Sequence, residues 1–100
     1  MSRFEWDEDK NQANRRKHDV GFEEAAQVFL DPLHLSDQDR IEGGEQRWRT
    51  FGLSAGLVLL MVAHTTAEED VEGEIVEVIR IISARRANRK ERHRYENETG

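Results

Sequence analysis

The chain of 100 residues has no cysteine and one proline. Without cysteine there are no disulfides, thiolate metal sites or cysteine nucleophiles, which fits a reducing compartment. The longest apolar run, "LVLLMVA" at 57–63, is far short of the roughly 20 residues needed to cross a bilayer. The start, "MSRFEWDEDK", has no apolar leader core. A cytoplasmic protein without a membrane segment is expected. No repeat, linker or low-complexity segment appears, and the length fits a single domain over 1–100. There is no Gly-rich phosphate loop, P-loop or nucleophile elbow. The histidines at 18, 34, 64 and 93 form no HxH or HxxxH pair, so no metal and no cofactor are expected.

Charge is what the chain has in quantity: 15 Lys and Arg against 21 Asp and Glu, a net −6. That balance argues against a protein that wraps nucleic acid with its whole surface. The charge is blocked, however. Lys10, Arg15, Arg16, Lys17 and His18 form one basic zone, and Arg80, Arg85, Arg86, Arg89, Lys90, Arg92, His93 and Arg94 form another. Acid gathers at 31–45 and again from Glu68 to Glu77. Two basic zones on an acidic body suggest a local anion site or two faces for different partners, and equally fit solvated faces.

The pattern predicts a short strand at "FEW" (4–6), then a helix capped by Asp7 that runs to about Lys17 with acid first and base last. Phe22, Ala25, Ala26 and Phe29 give the apolar stripe of a second helix, ended by Asp31 and Pro32. Strands follow at 33–37, 47–53, 57–65 and 75–83, the third apolar on both faces and so central. Polar loops are expected around Gly43 and Gly44 and over the acidic "TAEEDVEGE", and a last helix from about Ala84 or Ala87. The fold class is α+β: two N-terminal helices packed on a mostly antiparallel four- to five-stranded sheet, plus a C-terminal helix.

Within this frame Arg80 sits in the row of Val76, Val78 and Ile82, a guanidinium among apolar neighbours that needs a carboxylate, a carbonyl or a bound anion. Its partner is either an acidic neighbour such as Glu77 or Glu68, or a phosphate. His64 ends the central strand, beside the strand of Arg80, and is suited to proton transfer or to a structural role. Lys17 and His18 close the first helix. Trp48 alternates with Arg47 and Arg49, an arrangement that either stacks bases beside phosphate contacts or packs the ring into the core.

Three separated segments carry a family resemblance: "FEWDEDKNQANRRKHDVGFEEAAQVFLDP" at 4–32, "HT" at 64–65 and "IRIISARRANRKERHRYE" at 79–96. Together they resemble the BrnT family of toxins over nearly the whole chain. The resemblance implies a compact RelE-like, metal-independent endoribonuclease that cleaves RNA and inhibits translation. It implies a BrnA-type antitoxin partner, through which the complex meets operator DNA. By motif position Lys17, His18, His64, Arg80 and Arg85 fall at family-typical sites; from their chemistry Lys17, His18, His64 and Arg80 are expected to be catalytic, with Arg80 on the phosphate and His64 or His18 moving protons. Arg47, Arg49, Arg85 and Arg86 would contact RNA, and Arg89, Lys90, Arg92 and Arg94 an acidic antitoxin segment. One departure follows the "HT" pair: where the family pattern places an arginine, this chain has Thr66, Ala67, Glu68, Glu69 and Asp70. The alternative is therefore a catalytically weakened homologue acting mainly as an antitoxin-binding co-repressor module.

Overall fold

The computed structural model describes residues 2–99. In chain order they form β1 (Ser2–Glu5), α1 (Glu8–His18), α2 (Phe22–Gln27) with a 3₁₀ turn at Val28–Leu30, β2 (Leu35–Glu42), β3 (Glu45–Ser54), β4 (Val58–Val71), β5 (Glu74–Arg86) and α3 (Arg89–Thr99). One sheet has the order β1-β5-β4-β3-β2, with β1 parallel to β5 and every other pair antiparallel. This is the expected α+β architecture, and β4 holds the expected central place.

The helices start where their chemistry says. Asp7 accepts hydrogen bonds from the amides of Asp9 (2.9 Å) and Lys10 (3.2 Å), and Asp19 closes α1 in the left-handed conformation, φ 57°. α1 nevertheless has no apolar face, and two buried asparagines dock it, Asn14 on β5 and Asn11 on the start of α2. Asn14 Nδ2 donates to the carbonyls of Val20 and Ala84, both at 2.8 Å, and Asn14 Oδ1 accepts from the Ala84 amide. Asn11 Oδ1 accepts from the Phe22 amide at 2.8 Å. β1 pairs only with 77–80, so Ala84 lies beyond its reach and the side chain of Asn14 takes the place of a strand there.

Between the two N-terminal helices and the sheet lies the core: Val20, Phe22, Ala25, Val28, Leu60, Val62, Ile79, Ile81 and Ala84. A bulge at Ile82 changes the parity of β5, because His64 pairs with Ile81 while Ala63 pairs with Ser83. Ala84 thereby joins Ile79 and Ile81 on the helix side. α3 lies on the other face, where Arg94 sits over the Phe51 ring and Arg85 of β5 binds Glu91.

The first strand is Ser2–Glu5 rather than 4–6, the second helix gives way to the 3₁₀ turn after Gln27, and three more elements differ in extent. The acidic 66–74 stretch is strand, because every residue from Thr66 to Val71 pairs with β5 and only Glu72 and Gly73, at φ 54° and 88°, make the turn. β2 runs to Glu42 rather than 37, since Gly43 and Gly44, both at positive φ, suffice to close a two-residue hairpin. β5 continues through Arg86, so Ala84 belongs to the strand and α3 begins only at Arg89.

Candidate nucleic-acid interface

On β3, Arg47 and Arg49 point away from the N-terminal helices, as alternation with the buried, helix-side Thr50 requires. On β4 the same face carries Met61, Ala63 and Thr65, whose β5 partners are Arg85, Ser83 and Arg80. Ala63, Thr65 and Ser83 thus put short side chains between the four arginines, and Arg80 borders a pocket with Glu5, Trp6 and Asp7.

Arg80 is exposed, stands opposite Glu5 of β1 and Thr65 of β4, and its side chain makes no hydrogen bond or ion pair with any described residue. Neither Glu77 nor Glu68 serves it, because both lie on the helix side of the hairpin. Arg47 and Arg49 have nearby carboxylates, Glu42 at 3.5 Å and Asp39 at 4.0 Å, but the buried Nε of each forms no hydrogen bond. Arg85 is occupied: its Nη1 and Nη2 donate to the two Glu91 oxygens at 2.8 and 3.0 Å. Burial works against the charge on Glu91, yet Arg85 and the Asn88 amide outweigh it and hold its carboxyl below the usual range.

α3 forms one wall of this face. Asn88 and Glu91 bond each other's amides in a capping box, at 2.8 and 2.9 Å. Arg94 binds both oxygens of Asp37, and this pairing is the main reason that the Asp37 carboxyl titrates below its ordinary value. Tyr95 is buried and donates to Asp31 Oδ2 at 2.5 Å. Burial and this bond push the phenol up to about 12. A cavity of about 320 Å³ remains between α3 and β2–β3, lined by Leu35, Asp37, Arg49, Phe51, Lys90 and Arg94.

His64 is on the opposite face. It is 4% exposed and edge-on to Phe29, with ring centroids 4.9 Å apart. Its Nδ1–H donates to the Thr65 carbonyl at 3.3 Å, so Nε2 accepts from the Thr50 hydroxyl at 2.7 Å, and Ser36 Oγ stands 2.8 Å from Thr50 Oγ1. Burial is the chief cause of its lowered pKa.

The expected meeting of His64 with Arg80 therefore does not occur. Their strands are neighbours, but His64 pairs with Ile81 and Thr65 with Arg80, so the imidazole and the guanidinium leave opposite faces. Trp48, for the same reason of alternation, leaves β3 on the side away from Arg47 and Arg49. Lys17 and His18 end α1 on the helix side and are joined to neither group. Arg86 is exposed at the end of β5. Of the α3 cations, Arg89, Lys90 and Arg92 make no side-chain bond or ion pair with a described residue, whereas Arg94 belongs to the Asp37 clamp. Sequence reasoning missed Glu91, Asn88 and Asp37. The Asn88-x-x-Glu91 spacing signalled the first two, while Asp37 carried no local signal. Among the described residues, no three His, Asp or Glu side chains gather so as to hold a metal ion.

The fold and this face define a small α+β protein whose sheet presents a group of arginines on the side away from the N-terminal helices. A family model described as "Ribonuclease toxin, BrnT, of type II toxin-antitoxin system" matches residues 6–91, and the chain belongs to that family. The chain is similar to the ribonuclease toxin BrnT of Brucella abortus, known from a 1.1 Å crystal structure: 26% identity, TM-score 0.57, over 89% of this chain and 99% of that one. No curated protein matches. No helix among the described residues is long and apolar enough to cross a membrane.

Proposed function

We propose that this chain is a metal-independent endoribonuclease whose cleavage centre is the arginine face of the sheet, working in the cytoplasm to inhibit translation. The observation that carries the reading is Arg80: an exposed guanidinium with no hydrogen-bond or ion-pair partner among the described residues, next to Thr65 and on the same face as Arg47 and Arg49, whose buried Nε donors are also unfilled among them. Such donors stabilise the charge that develops on a phosphate during cleavage. Arg80 is the residue assigned to that charge; Arg47, Arg49, Arg85 and Arg86 hold the neighbouring backbone. His64 and His18 are not assigned proton transfer at this centre, since neither shares its face. A BrnA-type antitoxin neutralises the toxin by laying an acidic segment on the free α3 cations Arg89, Lys90 and Arg92, and the complex meets operator DNA through the antitoxin.

Expression of the chain alone tests this. Growth arrest with loss of RNA integrity is expected from the wild type and not from Arg80→Ala. A second reading, a weakened toxin kept for antitoxin binding, is favoured by the bidentate hold of Glu91 on Arg85 and by the distance of both histidines from the arginine face. It predicts tight antitoxin binding without arrest.

A further inference from the structure

The face of the sheet that lacks the arginines carries its own cavity. About 270 Å³ in volume, it is walled by the aromatic rings of Phe29, His34 and Trp48, with His64 behind them and Thr66 and Glu77 among its polar groups. Its polar wall is already in place. Ser36, Thr50 and His64 are joined in the chain of hydrogen bonds described above, and Thr66 Oγ1 lies 3.4 Å from His64 Nδ1. His34 is held by its own Nδ1, 2.7 Å from the Asp31 carbonyl. Two groups are left unpartnered among the described residues: the indole N–H of Trp48, a donor, and the carboxylate of Glu77, an acceptor.

The lining decides what fits. No lysine or arginine borders this cavity, and Glu77 pairs across the strands with Glu68 on the same face. A phosphate would meet only like charge here, in contrast to the arginine face. Aromatic walls instead suit a flat, uncharged ring. A free carboxylate accepts from an amine on that ring, and an indole N–H donates to a ring nitrogen or oxygen.

We infer that this cavity binds a nucleobase carrying an exocyclic amine, stacked among Phe29, His34 and Trp48 with the amine on Glu77. The site is separate from the arginine face and does not depend on the cleavage proposed there. A free nucleoside and an unpaired base of an RNA strand share this chemistry.

The test uses the full chain with Trp6→Phe, which leaves Trp48 as the one tryptophan of the two. Trp6 meets the edge of Phe22 at 6.1 Å, a contact that a phenylalanine can keep. Adenosine is expected to change Trp48 fluorescence saturably, with adenosine monophosphate weaker and the gap narrowing as salt rises. Glu77 is exposed, so Glu77→Gln keeps the fold and is expected to lower adenosine affinity about tenfold, the usual loss for a hydrogen bond to a charged group. Three results overturn the inference: no saturable change from adenosine or guanosine with the folded protein, monophosphate binding tighter than nucleoside, or purine riboside, which lacks the amine, binding as well as adenosine. The source is settled by RNA cleavage. If Glu77→Gln raises KM, the base belongs to the RNA strand; if KM is unchanged, the ligand is a free nucleoside. The fluorescence readout needs no cleavage, so an inactive ribonuclease leaves this test intact.

Discussion

Replacing Asn14 by alanine tests how α1 is held, because this one side chain does what an apolar stripe does in other helices. Three bonds go at once: the donations to Val20 O and Ala84 O at 2.8 Å and the acceptance from Ala84 N at 3.2 Å. Ala84 is 1% exposed and Val20 2%, so water has little access to the groups left behind. A buried backbone group stripped of its partner costs about 1–3 kcal/mol. Three such groups, partly relieved by water entering the space vacated, bring the loss to roughly 3–5 kcal/mol. That is a large share of the about 5–15 kcal/mol by which domains of this size are stable. The loss is read as a fall in urea midpoint at constant slope, beside Gln12→Ala as the control. Gln12 is exposed and bonds only Glu8, and its loss should cost under about 0.5 kcal/mol. If Asn14→Ala costs less than about 1 kcal/mol, the asparagine is not the anchor.

Gly52→Ala should destabilise by about 1–3 kcal/mol, since a Cβ there would meet Val28 Cγ1 at 2.8 Å and the Val28 carbonyl at 3.1 Å; thermal unfolding reads the shift. His64 ties stability to pH. Its folded pKa is depressed below 6.5, so the unfolded chain binds the proton first, and the stability it contributes is lost as pH falls from about 6.5 through the folded value. Urea midpoints should drop over that interval in the wild type and drop less in His64→Gln. Tyr95→Phe removes the bond to Asp31 and should loosen α3 by about 1–2 kcal/mol, seen as faster amide exchange in α3 with β4 unaffected. In the wild type the same phenol, pushed up to about 12, makes stability decline above about pH 10, where the unfolded tyrosine ionises first.

Local chemistry was legible in the sequence wherever one residue type dictates one conformation. Asp7 as a cap, the acid-to-base order along α1, the Phe22–Phe29 stripe and the doubly apolar β4 all stand in the structure. The acidic hairpin was not legible, because acidic residues are poor strand formers judged alone, and only the pairing of Glu68, Glu69 and Asp70 with Glu77, Val76 and Ile75 makes them strand. The dock of α1 escaped for a related reason: a buried asparagine looks like a surface residue until the backbone groups that it serves are known. The site was half legible. Arg80 stood out as a charge in an apolar row, and its side chain meets neither Glu77 nor Glu68 nor any other partner among the described residues. That His64 faces the other way follows from a register of one residue between β4 and β5, and no local pattern specifies that register.

The central claim is that the arginine face cleaves RNA without metal. The direct measurement is the rate of RNA cleavage by the purified chain in excess EDTA, compared with Arg80→Ala whose fold is verified by its unchanged urea midpoint. Cleavage that survives EDTA and falls by about a hundredfold in Arg80→Ala, the usual effect of removing a transition-state charge donor, is the predicted result. Cleavage that EDTA abolishes, or a folded Arg80→Ala that cuts at the wild-type rate, would contradict the account.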